Sequence, residues 1–501
     1  MHLTVAKRLG VASDLLQRSD LLNFIKENNI KRISFHYTAL DGRLKQLIIP
    51  VNSMDYAERV LAAGERVDGS SLFKKMVPAG GSDLYVVPDY STAFINPFDP
   101  DSISLICRYL DKNEKLAEFA PDNILAKAAQ QIRDDFGMEL WGLGELEFYI
   151  IGEKGQNPFQ MSSQSGYHEG RPFSHFQPML LEMIDIIAGI TGHVKYGHSE
   201  VGVIQNIQSA NEEINGKYAE QFEVEFMPAP IEKAADFCSI AKWVVRSVAA
   251  KHNCMITFIP KLEKKHAGTG MHFHLELLKK EDNQMTNPDG SLSDIAKIAI
   301  GGLCDNARVL TAFGNTTISS YLRLVPNQES PTSVFWSDMN RSAMVRVPLG
   351  WKKGEDTASL INHKLKERYV SPFKRQTIEL RTSDGSAHIH LLLAAITKTI
   401  HTALGNREKY LSLAEKHYLQ PGNANTERFP DLPASCYQSA MILVNEKEKF
   451  GGIFPDYLIE WLHQSLLDED DKDLRERLSQ MSPAEQSAYH RNLMHQDLHI
   501  R

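Results

Sequence analysis

The segment ELWGLGELEFYII, residues 139–151, carries the strongest architectural signal in this chain. Its apolar and aromatic residues are typical of a buried β-strand, yet Glu145 and Glu147 stand two positions apart within it. Because side chains alternate between the two faces of a strand, both carboxylates point to one face. Burial and mutual repulsion would favour protonation of one carboxyl group unless a cation lay beside both. The pattern therefore favours a metal-binding strand, with a solvent-exposed strand face as the alternative.

Two later segments repeat this spacing of polar residues. MHFHL (271–275) follows the glycine-containing run AGTG, and IELR occurs at residues 378–381. Glycine allows the backbone to approach a ligand closely, so a histidine pair after glycines is better evidence for a site than a lone histidine. Three strands that each offer a polar pair on one face predict a shared polar site.

Two other acids and four arginines join the candidate residues. Glu200 in YGHSE and Glu223 in EQFEVE are simply surface acids when each is taken alone. The arginines occur more densely than a structural role requires, and planar guanidinium groups suit two-point capture of phosphate or carboxylate. They are Arg323, Arg341, Arg346 and Arg381. Salt bridges with the acids named above are the alternative interpretation of these arginines.

The composition argues against several classes of function. With 501 residues, 42% of them hydrophobic and 24% charged, the chain is expected to form two to three soluble domains. A net charge of −8 argues against binding to nucleic acid or to an anionic membrane, and no run of 18 uncharged apolar residues predicts a membrane span. The five cysteines form no CxxC pair, so neither disulfides nor a zinc-thiolate site is indicated. The start of the sequence has no signal-peptide pattern, and we expect the protein in the cytoplasm.

The predicted elements divide the chain into parts. A helix is predicted at 14–30, and strands at 33–40 and 43–50 are predicted to form a hairpin around Asp41-Gly42. The polar run DKNEK (111–115) marks a domain boundary. The acid-rich, helix-prone end of the chain is expected to be either a solvated appendage or an oligomer contact. We predict an N-terminal extension (1–20), a small partly β domain (21–113), a large domain (114–467) and a polar helical tail (468–501).

A series of motifs runs along the chain in order. They are DGSS and SDLYVVPDYST in the first domain, and GELEFY, HSE, EQFE, PK with AGTGMHFH, YLRLVPNQESP, WSDMNRSAMVRVP and ELRTSDGSAHIHLLLAA in the second. This ordered set resembles the glutamine synthetase family, from about Asp41 to about Glu460. The resemblance implies an α+β fold, with a small β-grasp N-terminal domain and a large catalytic domain whose curved antiparallel sheet is flanked by helices. It also implies a homo-oligomeric ring, expected to be a dodecamer, with sites between neighbouring subunits.

The same resemblance implies an ATP-dependent ligase that forms glutamine from glutamate and ammonia through γ-glutamyl phosphate. Phosphorylation by ATP is needed because a carboxylate is a poor acyl donor, whereas an amine can displace phosphate from an acyl phosphate. Two or more Mg²⁺ or Mn²⁺ ions are implied, and oxygen-rich shells with one imidazole suit these metals. Carried over by position, one ion would be held by Glu147, Glu200 and Glu223, and the second by Glu145, His272 and Glu379.

Further roles follow from the resemblance. Arg323 would grip the α-carboxylate of the substrate, and Glu329 on a flap would shield the acyl phosphate from water and accept a proton. Asp68 and Ser71, from an adjacent subunit, would form an ammonium pocket. An anionic pocket can bind the cation before its proton is removed, and Asp68, Glu200 and Glu329 would provide it. The implied sets are Ser71, Gly268, Arg323 and Arg381 for substrate binding, His274, Arg341 and Arg346 for ATP binding, and Asp68, Glu329, Arg341 and Arg381 for catalysis.

Several positions depart from the family pattern, and we expect each to border the substrate site. Ala267 stands where the family has asparagine, Ser199 where it has a second histidine, and His388-Ile389-His390 where it has Asn-Pro-Tyr. No tyrosine matches the one that helps to bind ammonium, and ERFPDLP (427–433) lacks the tyrosine that some members carry for adenylylation. The alternatives are a γ-glutamyl ligase for another small amine, a ligase for another carboxylate, and a catalytically silent structural or regulatory relative.

Overall fold

A mixed sheet of six strands forms the core of the small domain. The computed structural model describes residues 2–325, 328, 330–350, 356–367, 369–370, 376–423 and 425–500. The strands of the small domain are β1 (Arg32–Thr38), β2 (Leu44–Pro50), β3 (Glu65–Asp68), β4 (Asp83–Pro88), β5 (Phe94–Ile95) and β6 (Ser102–Leu110), in the order β2-β1-β6-β4-β3 with β5 beside β6. Its helices are α1 (Val5–Leu9), α2 (Arg18–Glu27), α3 (Met54–Ala63) and α4 (Gly69–Leu72).

The predicted hairpin is confirmed. Thr38 pairs with Leu44 across the turn, where Gly42 has φ +74°, a conformation that glycine adopts without strain. The helix predicted at 14–30 is shorter, because α2 begins only after the N-cap Gln17, whose backbone N–H donates to Asp20 Oδ2 (2.9 Å). The chain thus enters the sheet through a short capped helix.

A second sheet of ten strands carries the polar pairs of the large domain. Its main path is β14-β15-β16-β12-β7-β9-β8, and every neighbouring pair on it is antiparallel except β14 with β15, which is parallel. Its strands are β7 (Glu139–Gly152), β8 (Val194–Ile204), β9 (Tyr218–Phe226), β10 (Ala229–Pro230), β11 (Met255–Thr257), β12 (Met271–Lys279), β13 (Asp282–Asn283), β14 (Trp336–Asp338), β15 (Val345–Val347) and β16 (Ile378–Leu380).

Helices cover this sheet and extend to the end of the chain, which confirms the α+β class. No helix among the described residues combines the length and hydrophobicity that a membrane crossing requires. The helices are α5 (Pro121–Phe136), α6 (Gln177–Thr191), α7 (Ile231–Lys251), α8 (Asp294–Asp305), α9 (Ala307–Gly314), α10 (Ile318–Arg323), α11 (Ile389–Leu404), α12 (Arg407–Lys416), α13 (Cys436–Asn445), α14 (Asp456–Leu467), α15 (Leu474–Ser479) and α16 (Pro483–His495).

Two glycines let helix α7 pack directly on strand β7. A Cβ atom at Gly144 would lie 2.7 Å from Cys238 Sγ, and one at Gly142 would lie 2.7 Å from Ile231 Cδ1. These glycines alternate with Glu145 and Glu147 along the strand, so they occupy the opposite face. The helix therefore covers the back of β7 while both carboxylates remain on its front.

The end of the chain docks on the large domain. Leu493, Met494, His495 and Leu498 are buried, and the imidazole of His495 hydrogen-bonds both to Ser209 Oγ (2.9 Å) and to the Leu262 carbonyl (2.8 Å). The prediction of a solvated appendage is therefore wrong for this part of the tail. The tail is polar on average, but its few apolar residues, Leu493, Met494 and Leu498, are buried against the large domain.

Candidate active site

The strand pairing brings the candidate metal ligands together. Strand β7 lies between β9 and β12, so Glu147 pairs with Glu223 on one side and Glu145 pairs with His272 on the other. On the far side of β12, His274 pairs with Glu379 of β16. The polar pairs of the three segments singled out in the sequence thus share one region of the sheet.

One group matches the set predicted for the second metal ion. Glu145, His272 and Glu379 each offer a ligand atom, and these atoms lie within 4.8 Å of one another. His272 Nδ1 is 2.8 Å from Glu145 Oε2 and 3.8 Å from Glu379 Oε1. Two carboxylates and one imidazole at this spacing fit Mg²⁺ or Mn²⁺.

A second group lies beside β8 and β9. It contains His198, Glu200 and Glu223, with ligand atoms again within 4.8 Å of one another. His198 is a donor that the sequence interpretation did not include, although it immediately precedes Ser199 in the HSE motif. Glu147 was predicted to complete the set with Glu200 and Glu223, but it belongs to neither group. It lies beside them, because it pairs with Glu223 across the sheet and its Oε1 is 3.9 Å from His272 Nδ1.

The electrostatics of this carboxylate cluster (Glu145, Glu147, Glu200, Glu223 and Glu379) call for cations. Burial raises the pKa of Glu223 well above its ordinary value, and the charges of Glu145, Glu147 and Glu200 raise it further. Burial and the charge of Glu200 also raise the pKa of Glu147. So many buried like charges are stable together only with positive charge between them, and the donor set therefore fits divalent ions.

Histidines already neutralise part of this cluster. Burial would raise the pKa of Glu145, but the charges and hydrogen bonds of His274 and His272 hold that pKa well below its ordinary value. His274 Nε2 lies 2.8 Å from Glu145 Oε1, and its Nδ1 lies 2.9 Å from Thr377 Oγ1. His274 is therefore fixed in orientation at the edge of the cluster.

Three of the predicted arginines lie near the cluster: Arg346 on β15, Arg381 directly after β16, and Arg323 at the end of α10. Arg346 donates to Glu379 Oε2 (2.8 Å), and Arg381 donates to Glu379 Oε1. Arg323 donates to the Thr382 carbonyl (2.9 Å). Arg323 Nη2 also lies 3.4 Å from His272 Nε2, so these three arginines lie beside the metal-ligand residues His272 and Glu379.

A cavity of about 170 Å³ opens beside these groups. Gly268, Arg323 and Arg381, which were predicted to bind substrate, line it together with Glu147 and His272. The remaining lining residues are Gln164, Val201, Lys265, His266, Ala267, Gly270, Gln328 and Ser330. The cavity therefore joins cationic side chains suited to carboxylate binding with one edge of the carboxylate cluster.

Comparison with known proteins identifies the family. The family model "Glutamine synthetase, catalytic domain" matches residues 118–481, and "Glutamine synthetase, beta-Grasp domain" matches residues 29–112. The chain belongs to the glutamine synthetase family. The predicted β-grasp and catalytic domains are thereby confirmed.

Relatives in the glutamine synthetase family align over most of the chain. A "Glutamine synthetase" of Frankia alni is 28% identical over 490 residues, covering 90% of this chain and 95% of that protein. One of Staphylococcus epidermidis is 28% identical over 440 residues, covering 86% and 89%. Among solved structures, a cryo-EM structure of Plasmodium falciparum glutamine synthetase has a TM-score of 0.73 at 19% identity, covering 95% of this chain and 99% of that one. The structure titled "Apo GmaS without ligand" has a TM-score of 0.71 at 21% identity, covering 93% and 98%. At these identities the two solved structures show the fold alone.

Of the three departures from the glutamine synthetase pattern, only Ala267 lines the cavity. Ser199 Oγ donates to the Glu169 carbonyl (2.6 Å). His388 Nε2 lies 3.1 Å from the Ala39 carbonyl of the small domain, and His390 Nε2 lies 3.1 Å from Asp236 Oδ1 on α7. The expectation that all three border the substrate site is therefore wrong for the histidine segment, which belongs to the contact between domains.

Side-chain hydrogen bonds fix the backbone of the loop that carries Ala267. The consecutive carbonyl groups of residues 266–268 accept hydrogen bonds from Lys261, from Tyr149 (3.1 Å) and from Gln221 (2.9 Å), respectively. Burial and the charge of Arg323 lower the pKa of Lys261 to about 8. The backbone at this position is thus fixed without the asparagine side chain of the family.

Gln164 reaches the same loop from the segment between β7 and α6. Its Oε1 accepts a hydrogen bond from the Ala267 N–H (2.6 Å), and its Nε2 is buried with no hydrogen-bond partner among the described residues. Ser163 Oγ lies 2.9 Å from His266 Nε2. An amide side chain therefore stands next to the position where the family has asparagine. Nothing local in the sequence singles out Gln164, because its role depends on a loop 103 positions away.

Tyr167 is a second residue that the sequence interpretation missed. Its ring lies 4.3 Å from that of His168 and 5.7 Å from that of His198, between centroids, and its hydroxyl hydrogen-bonds Arg341. An aromatic hydroxyl thus lies next to the His198 group.

Asp68 and Ser71 lie in the small domain, and neither lines the cavity. Ser71 Oγ donates to Asp68 Oδ2 (2.6 Å), and the Ser70 N–H donates to Oδ1 (2.9 Å). The hydrogen bonds from Ser71 and Ser70 hold the pKa of Asp68 well below its ordinary value, so its carboxylate stays anionic at neutral pH. Glu329 lies outside the described residues.

Proposed function

We propose that this chain catalyses the ATP-dependent joining of ammonia to the γ-carboxylate of glutamate through γ-glutamyl phosphate. One observation carries the proposal: the cavity lined by Gly268, Arg323 and Arg381 is also lined by Glu147 and His272 of the metal-ligand set. An amino-acid substrate held there would present its side-chain carboxylate to the groups that manage phosphoryl transfer. The relatives described as glutamine synthetases support the same activity.

Arg323 is the group best placed to hold the α-carboxylate. Its side chain is nearly buried, and its hydrogen bond to the Thr382 carbonyl fixes the guanidinium at the cavity wall. A guanidinium presents five N–H donors in a rigid planar fork, and this geometry suits two-point binding of a carboxylate. Fixing the substrate in this way brings its reacting carboxylate to one position and lowers the entropy cost of reaction.

The reaction requires stabilisation of the negative charge on the transferred phosphoryl group. Divalent ions held by Glu145, His272 and Glu379, and by Glu200 and Glu223 with Glu147 or His198, would supply charge stabilisation at the phosphoryl oxygens. Arg346 and Arg381 adjoin the same place through Glu379, and their guanidinium groups would offset negative charge on the leaving phosphate. Arg341, which hydrogen-bonds the Tyr167 hydroxyl, would do so as well.

The amine must be bound as ammonium and must attack as ammonia. Asp68, with its lowered pKa, is a good partner for a cation and a poor proton acceptor. We therefore assign Asp68 and Ser71 of a neighbouring subunit to binding, and removal of the proton to Glu200 or Glu329. This division requires an oligomer with sites between subunits, and we propose the ring, a dodecamer, that the family resemblance implies.

Phosphate release by the purified protein tests the proposal. We expect release that requires ATP, Mg²⁺, glutamate and ammonia together, and Arg323→Lys should raise the KM for glutamate at least tenfold. Arg308→Lys, an exposed arginine on α9, is the matched control and should leave that KM unchanged. Release without any dependence on ammonia and glutamate would refute this function. Calorimetry that finds neither Mg²⁺ nor nucleotide binding would instead support a catalytically silent relative.

A second candidate is a ligase for another small amine or another carboxylate. The observation that favours it is Ala267, which removes a side-chain hydrogen bond worth on the order of 1 kcal/mol, beside the buried amide of Gln164. A screen of phosphate release over amines and acids decides between the candidates, since the preferred pair is the one with the highest kcat/KM.

We also propose that the protein resides in the cytoplasm. All five cysteines have free thiols, and four of them are buried. Free thiols are typical of a reducing compartment, which supports our inference of the cytoplasm.

A further inference from the structure

A second cavity lies between the small domain and helix α7. Its volume is about 280 Å³, and it shares no lining residue with the catalytic cavity in the described part of the chain. One wall is the turn of the β1–β2 hairpin, and the other is a single face of α7 with residues three or four positions apart. The lining residues are Gly42, Arg43, Leu44, Ser239, Lys242, Trp243, Arg246, Ser247 and Ala250.

Three cationic side chains line this interdomain cavity, and no acidic side chain among the described residues does. Lys242 and Arg246 are close together, since Lys242 Nζ and Arg246 Cζ lie 4.9 and 4.7 Å from the centroid of the same Phe258 ring. Arg43 faces them from the hairpin turn. Such concentration of positive charge contrasts with the net charge of −8 of the whole chain.

Each of these cations donates a hydrogen bond to a backbone carbonyl. Lys242 donates to Gly385 (2.8 Å), Arg246 donates to Ile500 (2.9 Å), and Arg43 donates to His499. Over the residues that the structure describes, no carboxylate lies within 4.0 Å of either guanidinium; Asp41, whose charge reaches Arg246, is itself paired with Lys45.

The lowered pKa of Arg246 shows that its positive charge is destabilised in this cavity. Burial and then the charge of Arg43 lower its pKa to about 10, against a smaller opposing effect of Asp41. An anion in the cavity would relieve this repulsion. Each guanidinium has five N–H donors and uses one for a backbone carbonyl, so donors remain to form charge-assisted hydrogen bonds with it.

We propose that the interdomain cavity is a binding site for a phosphate group, held by Arg43, Lys242 and Arg246. Three cations match the two negative charges of a phosphate dianion better than they match the single charge of a carboxylate. At roughly 30 Å³ per water molecule the cavity has space for about nine waters, more than inorganic phosphate fills. Trp243 and Leu44 offer an apolar wall for an organic part, so a small phosphomonoester is the ligand class with the best fit. This proposal is independent of the reaction catalysed.

Isothermal titration with sodium phosphate and with glycerol 3-phosphate tests the site. The full-length protein is kept at constant ionic strength with EDTA, so that metal-dependent binding of phosphate at the catalytic cavity is suppressed. We expect saturable binding, tighter for glycerol 3-phosphate if the apolar wall contributes. Arg43→Gln and Arg246→Gln should each weaken binding at least tenfold.

Two control variants distinguish this cavity from the rest of helix α7 and from the catalytic site. Lys233→Gln removes an exposed cation from the same helix outside the cavity and should leave affinity unchanged. Arg346→Gln alters the catalytic site and should also leave it unchanged. Absence of saturable binding overturns the proposal, as does loss of binding in Arg346→Gln alone, which would place the anion at the catalytic site. If Arg246→Gln fails to fold, Arg43→Gln decides, because Arg43 is an exposed residue of the turn.

Discussion

Replacing Glu223 by glutamine separates the cost of carboxylate repulsion from the benefit of a bound cation. Ligand oxygens of Glu200 and Glu223 lie within 4.8 Å of each other, and Glu223 is buried while Glu200 is half-buried. Two unit charges at this separation repel by about 3 kcal/mol at an effective dielectric constant of 20. Without metal, part of this repulsion is avoided by protonation, because burial and the neighbouring carboxylates raise the pKa of Glu223. In EDTA the variant should therefore be as stable as the parent, or more stable by up to about 3 kcal/mol.

Addition of Mg²⁺ should reverse this order. A ligand at one hundred times its Kd stabilises the native state by about 2.7 kcal/mol for each site. If loss of the Glu223 carboxylate weakens one site tenfold, the gain at that site falls to about 1.4 kcal/mol. Thermal unfolding in EDTA and in Mg²⁺ measures both effects without reference to turnover.

Glu220→Gln is the matched control for this experiment. Glu220 is buried on the same strand, but it accepts hydrogen bonds from Ser174 (2.9 Å) and from the His175 N–H (2.8 Å). Its replacement should lower stability in both buffers and preserve the shift caused by Mg²⁺. If Glu223→Gln behaved in the same way, with a full response to Mg²⁺ and a loss of stability in EDTA, the assignment of Glu223 to a metal site would be wrong.

Three further predictions concern other residues. Glu147→Ala should lose nearly all turnover while size-exclusion chromatography shows an intact assembly, whereas Asp68→Ala should chiefly raise the KM for ammonia; full activity of the first variant would contradict the metal assignment. Tyr149→Phe leaves the Ala267 carbonyl without its donor, so urea denaturation should show a loss of about 1 to 3 kcal/mol, together with a higher KM for the acid substrate. Burial lowers the pKa of His36 from 6.5 to about 4, so the unfolded state binds more protons between these values and stability is lost as pH falls through this window, by up to about 3 kcal/mol. His36→Gln should flatten that part of the stability profile, and an unchanged slope would refute the assignment.

Local periodicity predicted the strand that carries Glu145 and Glu147. It did not predict the residues that neighbouring segments add to the site. Glu145 and Glu147 could be placed on one face because strand geometry fixes that relation over two residues. His198 stands one position before the HSE serine and was still missed, since whether its ring faces the cluster depends on the pairing of β8 with β9. Gln164 and Tyr167 lie in a loop without periodicity, so no local rule connects them to the site.

The ordered motifs of the sequence identified the family by resemblance, and that resemblance implied the two-domain α+β architecture and the list of candidate ligands. Strand alternation by itself placed Glu145 and Glu147 on one face, because that relation is encoded within two residues. Only the tertiary structure decided which ligands meet, since the pairing of β7 with β9 and β12, and of β12 with β16, joins segments that lie far apart in the sequence. It also placed Leu498 in the interior and the His388 segment at the contact between domains. Burial of an individual side chain depends on what the rest of the chain packs against it, and no window of sequence contains that information.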